Sequence, residues 1–310
     1  MDSDKEISII IPTYNRIDIL IRNLDLLKRQ LIKYCYEIII IDDGSDEGYL
    51  KRLTKIDNLI LIKTNHGGPA AARNIGLKKA KGEIVLFIND DTIITKGFID
   101  KHLDFHKKNK NENVAVIGPF IEPKELIDNS IMKWLVNDSN LHFKYQKAEN
   151  NELPWYYFWT CNISVKKIFL IQNKLNFDED FKVAAWEDIE FGYRAKNKNL
   201  KIYFDEKLKA YHWHHFNFED LMKRFYSHGR GMFVISKKIP RKHLPMLAKI
   251  ENRVIARIIL EITFYRYTEK FLKRLVMGSK VNSNILLQYL IIGEKIKGWD
   301  YEKNKKNINC

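Results

Sequence analysis

The sequence predicts an α/β protein: a mostly parallel sheet with helices on both faces, followed by a helical C-terminal extension. Over the first third of the chain, short β-branched apolar runs alternate with segments whose apolar residues recur at helical spacing. The apolar runs are nearly continuous, the pattern of strands buried on both faces. Three polar clusters, Pro12-Thr13-Tyr14-Asn15, Asp42-Asp43 and Asn89-Asp90-Asp91, each follow the carboxyl end of such a run. In open α/β sheets ligands bind beyond those ends.

Taken in order, Ser8–Ile11 is a first strand ended by Pro12, and Asp18–Lys33 a helix on Ile19, Leu20, Leu24, Leu27 and Leu31. Glu37–Ile41 is a second strand, stopped by the turn residues Asp42-Asp43-Gly44-Ser45. Leu59–Ile62 is a third strand, Ala70–Ala80 a helix and Glu83–Ile88 a fourth strand. From Phe98 to about His215 the chain reads as irregular and aromatic, with a short helix at Asp188–Ala195 and a strand at Leu200–Phe204. Beyond Pro240, Leu244–Met277 and Asn284–Ile296 read as amphipathic helices.

The 310 residues can bury a sizeable core, and 45% hydrophobic with 30% charged residues is ordinary for a globular protein. Cys35, Cys161 and Cys310 match neither a disulfide framework nor a metal-ligand spacing, which suits a reducing compartment. No run approaches the ~20 apolar residues of a spanning helix. A cytoplasmic protein is expected, or one held at its surface to the inner face of the membrane. The net charge is +14, and 17 basic against 6 acidic residues of it lie between Lys237 and Cys310. That asymmetry divides the chain into 1–236 and a basic amphipathic extension, 237–310. The extension would pack on the rest of the chain, join a second copy as a homodimer, or lie on an anionic membrane.

The ordered set Ser8–Arg16, Ile41–Ser45, Gly67–Gly76, Asn89-Asp90-Asp91, Trp159–Asn162, Trp186–Arg194 and His212–His215 resembles family 2 glycosyltransferases, inverting nucleotide-diphosphate-sugar transferases of GT-A fold. The resemblance covers roughly residues 6–235. It implies a donor half of about 1–95 and an acceptor half of about 96–236. One departure is Asn89, where many relatives carry an acidic residue in an Asp-x-Asp motif; it leaves the metal on Asp91.

The resemblance assigns the following roles. Asp91 binds a divalent cation, Mn²⁺ or Mg²⁺, that neutralises the diphosphate leaving group, and Asp90 faces the ribose or a metal-bound water. Asp43 reads the base, uridine favoured, with Tyr14 stacked on it and the Pro12 backbone lining the pocket. Arg73, at a helix start behind Gly67-Gly68, meets the base or the diphosphate. Asp188 takes the proton from the acceptor hydroxyl, beside Glu187, because an inverting transfer needs a base. His212, or His214 as the alternate, completes the metal site. Asn162 and Trp186 border the acceptor, a glycan or lipid-linked glycan. Each motif also has a bland reading: a polar turn, a helix cap, carboxylates favoured by a helix dipole, or rings packed in the core.

Two other classes fit the sequence less well. A nucleic-acid-binding protein would suit the charge, but the basic residues fall in the helical extension, not in a reading module, so no nucleic-acid partner is expected. A sugar-phosphate nucleotidyltransferase would more often carry a Gly-rich, Arg-Lys loop after the first strand, where this chain has Pro12-Thr13-Tyr14-Asn15.

Overall fold

The computed structural model describes residues 5–30, 34–46, 58–138, 151–244 and 284–308. The elements run β1 (Ile7–Thr13), α1 (Ile17–Lys28), β2 (Tyr36–Asp42), β3 (Leu59–Lys63), α2 (Pro69–Lys79), β4 (Ile84–Ile88), β5 (Thr92–Ile94), α3 (Phe98–Lys108), β6 (Val114–Ile117) and β7 (Phe120–Ile121). There follow α4 (Ser130–Lys133), β8 (Glu152–Leu153), β9 (Asn162–Lys166), α5 (Lys167–Gln172), α6 (Glu187–Lys196), β10 (Lys201–Phe204), β11 (Ala210–His212), α7 (Phe218–Lys238) and α8 (Asn284–Ile308).

The main sheet has the order β3-β2-β1-β4-β9-β6-β10-β8, and a smaller sheet the order β5-β11-β7. β3, β2, β1 and β4 are mutually parallel, with Ile10 opposite Ile39 and Phe87. Both faces of these strands are covered, which explains their continuous apolar runs. Ile10, Ile39, Ile41, Val85 and Phe87 pack under α2 with Phe158, Phe177 and Phe191. Ile9, Ile11, Ile38 and Ile40 pack with Leu20, Leu24 and Leu27 of α1 and with Phe98 and Leu103 of α3. At the start of α2, Gly68 adopts φ +92° and Pro69 takes the first helical position, where its missing N–H costs nothing.

The stretch expected to be irregular is largely regular. It holds α3, β6, β9 and α5, and β9 lies antiparallel between β4 and β6. The strands before and after residue 95, where the expected donor and acceptor halves would meet, therefore share one sheet. The helix character of 98–108 rests on two buried histidines, His102 and His106, on its inner face beside Phe98 and Leu103. Polar residues on an apolar face hide a helical period.

The described residues divide into two compact units. One holds Met1–Asp128, Ser139–Lys182 and Asp188–His215; the other holds Asn129–Asp138, Val183–Glu187 and Phe216–Cys310. A boundary at 236–237 would cut the last turn of α7, whereas the units part at His215–Phe216, before that helix begins. In the second unit α7 starts on Asn217, whose side chain accepts from the Asp220 N–H at 2.9 Å. α7 meets α8 at glycines: a Cβ on Gly229 would strike Lys295 O and one on Gly298 would strike Tyr226 O. α8 runs on to Ile308, past the Ile296 expected. The helix expected at Leu244–Met277 lies, apart from Leu244, outside the described residues. No helix among the described residues is long and apolar enough to cross a membrane.

Candidate active site

The carboxyl end of β4 and the small sheet bring three side chains together. Asp91 follows β4; His212 ends β11, which pairs with β5, so that His212 stands opposite Thr92. The Trp213 N–H donates to the Asp91 carbonyl at 2.8 Å, which carries His214 to the same carboxylate. Asp91 Oδ2 lies 3.5 Å from His212 Nε2 and 3.2 Å from His214 Nδ1. One ligand atom from each of the three residues falls within 4.8 Å of the others. The sequence left a choice between the two histidines; the structure brings both.

Behind His212, Glu122 Oε1 accepts from Nδ1 at 2.9 Å, which turns Nε2 toward Asp91. Burial lowers the proton affinity of His212, but the Asp91 and Glu122 carboxylates outweigh it and raise the pKa. Burial acts to raise the Asp91 pKa, yet His212 and Arg16 hold it well below the usual carboxylate range. His214 is shifted down, chiefly by burial. Asp91 Oδ1 is buried with no hydrogen-bond partner among the described residues, an orphaned acceptor of the kind a cation would satisfy. Oxygen and two imidazole nitrogens form a donor set that fits a divalent metal.

Asp90 does not join that cluster directly. Its carboxylate accepts from Thr13 Oγ1 at 2.9 Å and from Arg16 Nη1 at 3.1 Å. Burial pushes its pKa up to about 7. Asn89 Oδ1 accepts from Arg73 Nη2 at 3.3 Å, so its oxygen is turned to the arginine. Arg73 is buried, its guanidinium 5.7 Å from the Phe177 ring.

A second cluster lies at the ends of β1 and β2. Tyr14 is 45% exposed and stacks on His66 at 4.5 Å between ring centroids. Asp43 accepts from the N–H groups of Gly67 at 2.8 Å and Gly68 at 2.9 Å, and His66 Nδ1 is 2.9 Å from its Oδ2. Asp43 thus holds the glycine loop in shape, whatever else it contacts. Pro12 lies in β1 opposite Ile41.

Asp188 lies in the first turn of α6, where Phe191 is packed between Phe158 and Phe177. Its Oδ1 accepts from the Ile189 N–H at 2.8 Å. Asp188 and Asp91 both act on one group, the buried Cys161 thiol, whose pKa burial and then these two carboxylates raise well above its ordinary value. Glu187 is buried at the start of α6.

The two residues expected to border an acceptor, Asn162 and Trp186, both have partners within the fold. Asn162 is fully buried in β9, donating to Leu208 O at 2.7 Å and Pro119 O at 3.3 Å while its Oδ1 meets His102 Nε2 at 3.1 Å. It joins core loops. Trp186 belongs to the second unit, where its Nε1 donates to His228 O at 3.1 Å and its ring packs on that histidine at 4.6 Å. It adopts φ +75°, a conformation that costs a side-chain-bearing residue roughly 1–3 kcal/mol.

Sequence reasoning gave no role to Arg16, Glu122 or His66. Arg16 sat inside a recognised motif and His66 immediately before the glycine pair, so both had a local signal. Glu122 had none, because its partner is 90 positions away.

The model of the family described as Glycosyl transferase family 2 matches residues 8–169, more than half of the chain. The chain belongs to glycosyl transferase family 2. It is 27% identical over 286 residues to the chondroitin synthase of Escherichia coli, covering 82% of this chain and 41% of that protein. It is 28% identical over 210 residues to the poly(ribitol-phosphate) β-N-acetylglucosaminyltransferase TarP of Staphylococcus aureus, covering 65% of this chain and 62% of the relative. The structure of S. aureus TarS 1–349 in complex with UDP matches at a TM-score of 0.50 and 20% identity, over 97% of this chain and 91% of that one. That likeness shows the shared GT-A fold. Beside chondroitin synthase, this family 2 chain spans less than half the relative's length.

Proposed function

We propose that this family 2 glycosyltransferase moves a sugar from a nucleotide-diphosphate sugar to an acceptor hydroxyl, with inversion at the anomeric carbon. One observation carries the reading: Asp91, His212 and His214 converge at the strand ends. Asp91, His212 and His214 would hold the divalent cation, with Glu122 orienting His212. The cation, when bound, supplies positive charge for the departing diphosphate. Asp188, oriented by the Ile189 N–H, accepts the proton of the attacking hydroxyl; no covalent sugar–enzyme intermediate is required. Tyr14, exposed and already stacked on His66, offers a flat face to the nucleobase. The likeness to a protein solved with UDP supports a uridine donor. The relatives named for chondroitin and poly(ribitol-phosphate) support a growing polymer as acceptor.

The test is product analysis on a panel of nucleotide sugars with and without Mn²⁺. Metal-dependent release of free nucleoside diphosphate is expected. Pyrophosphate release would instead mark a nucleotidyltransferase, and full turnover in EDTA would remove the metal from the reading.

A further inference from the structure

The candidate metal site already contains a cation, a guanidinium of the chain itself. Arg16 Nη1 donates to Asp90 Oδ1 at 3.1 Å. Arg16 Nη2 donates to Asp91 Oδ2 at 2.7 Å and to His214 Nδ1 at 2.9 Å. Arginine stays protonated in proteins and has only hydrogens to offer. Nη2 therefore sends one hydrogen into the lone pair of Asp91 Oδ2 and the other into that of His214 Nδ1. These two atoms lie 3.2 Å apart and belong to two of the three residues placed to bind a metal. A lone pair that accepts a hydrogen bond cannot coordinate a metal at the same time.

The arrangement has a physical reason. Two adjacent buried carboxylates repel one another and are costly without a counter-charge. Arg16 supplies that charge to both, and does so from the rim. Its side chain is 34% exposed, against 6% and 3% for its two carboxylate partners. It sits on the loop after β1, next to Asn15 at φ +52°. A side chain so placed can withdraw to solvent without unpacking the core.

We propose that Arg16 is a resident counter-cation of this site and that an entering divalent metal displaces it. The proposal rests on the reading of Asp91, His212 and His214 as metal ligands. It predicts that metal binding and arginine release are one event.

The experiment uses Mn²⁺ and the full chain without donor. Mn²⁺ affinity is measured by electron paramagnetic resonance titration of the wild type, Arg16→Gln and Arg16→Lys. The reaction of Arg16 with phenylglyoxal is followed in the wild type by peptide mass spectrometry, with and without Mn²⁺. Removing a competitor held by charge-assisted hydrogen bonds should tighten Mn²⁺ binding by roughly tenfold or more in Arg16→Gln, with Arg16→Lys in between. Mn²⁺ should also speed modification of Arg16. The labelling arm needs no variant, so it decides even if Arg16→Gln folds poorly. A wild type that binds Mn²⁺ with Arg16 no more reactive, or a folded Arg16→Gln that binds no more tightly, overturns the displacement and leaves the metal site standing. If neither wild type nor variant binds Mn²⁺, the metal reading falls and the displacement with it.

Discussion

Glu122 is the clearest case of a residue whose importance only the fold reveals. It is 8% exposed, and it holds His212 Nδ1 at 2.9 Å. A carboxylate behind a ligating histidine fixes the ring and raises its basicity, and losing such a partner typically costs about 10–100-fold in metal affinity. Glu122→Gln keeps the shape and removes the charge, so Mn²⁺ binding should weaken by about that factor in a titration; unchanged affinity would mean the ring is oriented by something else. Asp188 belongs to the same scale. Asp188→Asn should lower kcat by roughly 10²–10⁴-fold while leaving donor affinity nearly intact. A variant that lost donor binding and kept turnover at saturation would move Asp188 to the donor site. Asp91, Asp188 and the paired histidines were legible in the sequence because each sits at an element end inside a local motif. Arg16 was legible as a letter and not as a cation, because its three partners come from Asp90, Asp91 and His214. Local pattern carries type and position; it carries no information on which distant lone pair a side chain fills.

Among the elements, β9 and α3 are two of the pieces hidden in the sequence, and one polar chain explains both. Ser164 of β9 lies 2.9 Å from His102 Nδ1 and 2.9 Å from His106 Nε2. Histidine and serine on buried faces break the apolar period that revealed β1, β2 and β4. Burial lowers both histidines to about 3, with Lys166 adding to the effect at His106. Both are therefore neutral in the fold at any pH above about 3, while the unfolded chain binds protons below about 6.5. The unfolded state then holds more protons between those limits, so stability rises with pH across that window and is lost as pH falls. Between pH 7 and pH 5 each histidine should cost about 2 kcal/mol. His106→Gln removes one titrating group and keeps a partner for Ser164. Its urea-unfolding stability should fall by about 2 kcal/mol less than the wild type's over the same pH step. Equal losses would show that His106 does not stay neutral in the fold.

On the scale of the whole molecule, the basic C-terminal quarter is where charge and packing make competing demands. Much of that charge lies in residues 245–283, outside the described structure, but α8 is described and is an integral part of the second unit. Leu287, Leu290 and Ile291 are buried, Trp299 meets the Phe233 ring edge-on at 5.3 Å, and Arg230 pairs with Glu302 at 2.8 Å. Fully burying such apolar side chains is worth about 1.5–3 kcal/mol each. The glycine contacts at Gly229 and Gly298 leave no gap between the backbones for another occupant. A helix packed in this way has less of its apolar side left for a membrane, so the attraction of α8 itself to anionic lipid would depend largely on its lysines. Each contributes about 1 kcal/mol near such a surface and is screened by salt. Ending the chain after Ser283 removes α8 and strips α7 of its partner. The shortened protein should melt at lower temperature or aggregate, and the intact protein should not sediment with phosphatidylserine vesicles at physiological salt. A shortened chain that keeps its melting temperature, together with an intact chain that sediments in about 0.15 M salt, would make α8 a membrane-facing element and its contact with α7 secondary.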